Sequence, residues 1–73
     1  MFNKQQFKAN LVLNDKTMKD MAAVMGINEA TLNRKVNGHS EFTRNEIQAY
    51  RNALGLNAEE TDAVFFAPEL TET

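Results

Sequence analysis

The sequence predicts an all-α fold, five short helices in one small domain, and three observations lead there. An Asn or Thr recurs just ahead of apolar-periodic stretches, usually with an acidic or amide side chain three residues on that can bond back to the backbone. Gly26, Gly38 and Gly55 follow three of these stretches, where a helix ends in a left-handed turn. No segment shows the sustained apolar-polar alternation of a strand.

Each element follows in order. Asn3 with Gln6 opens a first helix running to about Leu13, with Phe7 and Leu11 four apart as its inward stripe. Thr17 with Asp20 opens a second, shorter helix through Met25, in which Met18, Met21, Ala22 and Met25 share a face and Gly26 is the stop. Asn28 begins the third, Glu29 to about Asn37, with Leu32 and Val36 inward and Gly38 after it. Thr43 with Glu46 opens the fourth, whose stripe is Ile47, Tyr50 and Leu54 before Gly55. Asn57 with Glu60 opens the fifth, Ala58 to about Phe66, ended by Pro68.

Composition narrows the functional classes. A chain of 73 residues has room for one domain, spanning residues 1–73, whose modest core supplies roughly a few kcal/mol, so partners, a second copy included, matter. With 42% hydrophobic and 25% charged residues it belongs with folded chains. The absence of cysteine excludes disulfides, a thiolate nucleophile and a thiolate metal site, and fits an intracellular protein. Neither a signal peptide nor a membrane-length apolar run is present, so the expected location is cytoplasmic, with no membrane partner. The net charge of −2 divides unevenly. Eight bases face five acids through Leu56, whereas Asn57 onward holds five acids and no base. A mildly basic body carries an acidic end, with a tail over residues 67–73.

The junction of the second and third helices is the most informative stretch. Ala22, Gly26, Ile27 and Leu32 are spaced to let two short helices cross steeply: alanine where they touch, glycine where φ turns positive, Ile and Leu plugging the core. From Thr17 to Gly38, TMKDMAAVMGINEATLNRKVNG resembles the helix-turn-helix of the lambda-repressor and Cro-like (XRE-type) regulators. The continuation HSEFTRNEIQAYRNALGLNAEETDAVFFAPEL resembles the distal helices of small Cro-like proteins of Gram-positive temperate phages.

That resemblance implies a compact five-helix domain with its helix-turn-helix over residues 17–38 and its third helix in the major groove of operator DNA. It offers Asn28, Glu29, Ala30, Thr31, Asn33, Arg34 and Lys35 as the reading surface. Asn28 or Asn33 suits adenine, Arg34 guanine, Ala30 and the Thr31 methyl a thymine methyl, and Glu29 cytosine. Lys19, Asn37, His39 and Arg44 stand where the family's phosphate contacts cluster. A dimer on paired half-sites is the family norm. Met18 departs from the pattern, replacing a common glutamine by an apolar side chain and becoming a candidate protein contact alongside core duty. Phe65 and Phe66 are neighbours on a helix, so one belongs to the core and the other to a dimer or partner contact.

Two functions follow from these residues. The first is a phage regulator of Cro type, binding double-stranded operator DNA in a lysis-lysogeny switch. The alternative, implied by modulator-of-repression proteins with this fold, is a chain that grips the phage repressor's N-terminal DNA-binding domain. Met18 and the acidic character favour it, since a negative surface suits a basic DNA-reading face. Catalysis is not expected, because no nucleophile-base pair, phosphate-cradling glycine loop or paired carboxylates stand out. His39 is the only histidine and lacks Cys partners, so no metal, cofactor or small-molecule substrate is expected.

Overall fold

The computed structural model describes residues 1–67, which form five helices: α1 Lys4–Leu13, α2 Met18–Met25, α3 Glu29–Val36, α4 Arg44–Leu54 and α5 Ala58–Phe65. Each begins where a short polar side chain offers an acceptor. Asn3, Thr17, Asn28, Thr43 and Asn57 all have extended backbones, and each accepts a hydrogen bond from the backbone N–H three residues on. Asp20, Glu46 and Glu60 return the bond at their respective caps, satisfying two helix-start donors at once. Gln6 does not reciprocate; its amide donates to Asn10 instead. Each cap contributes about 1 kcal/mol.

The helix ends follow one pattern. After α2, Gly26 takes φ 76°, its N–H reaches the Ala23 carbonyl at 3.1 Å and the Ile27 N–H reaches Ala22 at 3.0 Å. Gly38 (φ 86°) and Gly55 (φ 66°) perform the same turn. Asp15 performs it after α1 with φ 56°, a task for which no glycine is present. An Asp tolerates this region better than most side chains. Two ends shift by one residue from the sequence expectation, since Asn37 and Phe66 are caps rather than last helical residues. Pro68, the stop expected for α5, and the acidic tail beyond residue 67 lie outside the described residues.

Helices of 8 to 11 residues are too short to persist alone, so packing holds them. Phe7 and Leu11 of α1, Met21 and Ala22 of α2, Leu32 and Val36 of α3, Tyr50 and Leu54 of α4, and Val64 and Phe65 of α5 make one core. At its centre the Phe7 ring stacks on Tyr50 with centroids 4.5 Å apart, and Phe65 meets Tyr50 edge-on at 5.2 Å. Phe2 and Phe42 close the cluster from either side of Phe7. α2 packs against both α3 and α4, while α1 lies along α5. The Asn3 N–H donates to the Val64 carbonyl at 2.7 Å, and the Met1 amine to Ala67 at 3.0 Å.

Tyr50 is the chain's single tyrosine, fully buried, its hydroxyl donating to the Phe7 carbonyl at 3.0 Å. Burial pushes the phenol up to about 12, against a small opposing effect of the Asn10 side chain. The folded value lies above the unfolded value of about 10. The neutral phenol therefore contributes fully below pH 10, and stability falls as pH rises from about 10 through 12. A tyrosinate absorbance titration of the native protein is expected to stay silent at pH 10 and to rise with loss of helical circular dichroism. A midpoint near 10 with the helices intact would place the hydroxyl in water.

Candidate nucleic-acid interface

α3 is fixed from one side and open on the other. Leu32 and Val36 are buried, so a helical period of 3.6 residues puts Ala30, Asn33, Arg34 and Asn37 on the opposite side. All four are exposed, as are Asn28 and Glu29 at the helix start. Thr31 is half-buried, and its N–H donates to the Asn28 side-chain oxygen at 2.7 Å. Asn28 therefore has its carbonyl oxygen committed to the cap, which leaves Asn33 as the amide on the outward face with both its groups available to a base edge.

Lys35 does not join that face. Its Nζ lies 3.2 Å from Glu46 Oε1 and donates to the Glu41 carbonyl at 2.9 Å, with the side chain only 11% exposed. As a base-reading residue Lys35 is thus corrected: its charge is neutralised inside, joining α3 to the start of α4. Glu46 is itself buried and simultaneously accepts from the Thr43 N–H at 2.8 Å.

The expected phosphate contacts are placed around this helix by different elements. Lys19 on α2, Asn37 and His39 after α3, and Arg44 at the first turn of α4 are all exposed. Beside Lys19, the Thr17 backbone and hydroxyl hydrogen bonds hold the Asp20 carboxyl below the usual carboxylate range, with Lys16 and Lys19 adding to the effect. A cation that sequence reading passed over also belongs here. Lys4 of α1 donates to the Asn37 side-chain oxygen at 2.8 Å, bringing a positive charge from 33 positions away to the last turn of α3. Nothing local in the sequence marks that approach.

The residues assigned to a protein partner separate. Met18 is half-buried and packed against the core, so it offers a rim rather than an exposed apolar contact. Phe65 is 6% exposed inside the aromatic cluster, which removes it from the surface and corrects its assignment as a partner residue. Phe66 is 61% exposed. Its backbone leaves the helix at φ −131°, directing the ring away from its neighbour's core site.

Among the described residues no three His, Cys, Asp or Glu side chains gather into a metal-holding group. Within the same residues, no helix is long and apolar enough to cross a membrane. No family model, curated protein or solved structure matches the chain.

Proposed function

We propose that this chain is a Cro-type transcriptional regulator whose α2 and α3 form a helix-turn-helix, with α3 seated in the major groove of operator DNA. The outward face of α3 carries the reading. Ala30, Asn33, Arg34 and Asn37 are solvent-facing on a helix whose inner side is held by Leu32, Val36 and the Lys35–Glu46 ion pair. Arg34 supplies the bidentate fork that guanine accepts, Asn33 the amide that adenine accepts, and Ala30 a small apolar contact for a thymine methyl. Lys4, Lys19, His39 and Arg44 are the surrounding phosphate contacts, fixing register without reading sequence.

Fluorescence anisotropy on DNA from the chain's own regulatory region, over a salt series, tests this. Four cations, Lys4, Lys19, Arg34 and Arg44, predict that log affinity falls with log salt at a slope of about −3 to −4. Arg34→Ala is expected to cost about 1–3 kcal/mol on the specific site and far less on random DNA, so discrimination falls. Equal losses on both would remove Arg34 from base reading.

The exposed acidic side chains Glu59, Glu60 and Asp62 on α5 favour a second reading, in which the chain grips the basic DNA-reading face of a phage repressor. Feeble, sequence-indifferent DNA binding together with co-elution of a neighbouring repressor's N-terminal domain would select it over the first.

A further inference from the structure

Phe66 stands apart from every other aromatic side chain. The remaining phenylalanines and Tyr50 pack against one another around Phe7, whereas Phe66 projects from the end of α5 with most of its surface in water. Two open grooves flank it, of about 350 and 440 Å³, and Ile47 of α4 lines both. An exposed aromatic ring set between concave, partly apolar hollows is both a projection and a socket.

The charges beside it decide what fits. In the groove between α4 and α5, Arg44 and Arg51 come from α4 and Asp62 from α5. Arg51 is partly engaged, its Nε donating to the Leu56 carbonyl at 3.1 Å. Arg44 and Asp62 are exposed, and among the described residues the sole ion pair is Lys35 with Glu46. A partner of one sign would meet attraction on one wall and repulsion on the other. A patch bearing both signs around an apolar centre is complementary to itself under a two-fold rotation, because each copy presents what the other lacks.

We infer that the α4–α5 face is a self-association surface, in which Phe66 of each copy seats in the α4–α5 groove of a second copy and Arg44 of each faces Asp62 of the other. None of Ala30, Asn33, Arg34 or Asn37 lines that groove, so the inference stands independently of what α3 binds.

Sedimentation of the full chain without DNA, from low micromolar to millimolar concentration, tests the inference. A concentration-dependent dimer is expected. Phe66→Asp is expected to weaken it by about tenfold or more, with unchanged helical content and melting temperature because the ring is outside the core. Arg44→Asp and Asp62→Arg are each expected to weaken self-association by placing like charges opposite one another. Mixing those two variants is expected to restore a heterodimer, since one copy then carries two acids and the other two bases. A chain that stays monomeric throughout, a dimer indifferent to Phe66→Asp, or variants that fail to pair when mixed would each overturn the assignment.

Discussion

Phe7→Ala is expected to leave the domain largely unfolded at room temperature. Phe7 is completely buried, stacked on Tyr50 at 4.5 Å, and also meets Phe2, Phe42 and Phe65. These rings come from α1, α4, α5 and two connecting segments, so a hole at Phe7 loosens all of them together. Truncating a buried phenylalanine to alanine costs about 3–5 kcal/mol, because rigid neighbours close the cavity only in part. A single core of this size supplies roughly 3–5 kcal/mol in all, so the loss equals the whole. Thermal and urea unfolding followed by circular dichroism reads the effect. Phe7→Leu, which keeps more of the volume, is expected to remain folded at reduced stability. A Phe7→Ala protein melting within a few degrees of the parent would mean that the aromatic cluster collapses around the gap.

The second large effect lies in the ion pair beneath α3. Lys35→Ala is expected to destabilise the domain by about 3 kcal/mol, since it leaves the Glu46 carboxylate buried without its cation. The Thr43 N–H remains as one donor to that carboxylate, at 2.8 Å. The double variant Lys35→Met with Glu46→Gln is expected to recover most of the loss. Glutamine still accepts from Thr43, and methionine fills the path of the lysine stem without a charge to desolvate. Urea titrations of both singles and the double form a cycle whose coupling energy reports the pair. If Lys35→Ala instead left stability unchanged, the lysine would be a solvated side chain. The double variant is also expected to keep the salt slope of DNA binding unchanged, in contrast to Arg34→Ala, because Lys35 does not face outward.

Local chemistry was legible in the sequence where a few neighbouring residues suffice to determine it. Thr17 with Asp20, Thr43 with Glu46, and Asn57 with Glu60 are capping pairs in the sequence and in the structure, since both partners lie within one turn. The glycine stops are equally local. The end of α1 was not, because Asp15 turns left-handed where composition offers no glycine signal. The candidate interface was less legible for a related reason. Arg34 and Lys35 are adjacent cations on one helix, and only the position of α4 decides that the first faces water while the second meets Glu46. Likewise Glu46 reads as a cap, but its bond to Lys35 crosses between helices. Lys4 beside Asn37, and the parting of Phe65 from Phe66, depend on how α1 and α5 pack, which spacing along the chain does not encode.

The bonds from Asn3 to Val64 and from Met1 to Ala67 fasten the beginning of α1 to the end of α5. During synthesis, therefore, Phe2 and Phe7 emerge first yet wait for Phe65, the final member of their cluster. A nascent chain halted before α5 holds these rings in water, open to chaperones and to aggregation. The native state is then reached in one closing event on release from the ribosome rather than helix by helix.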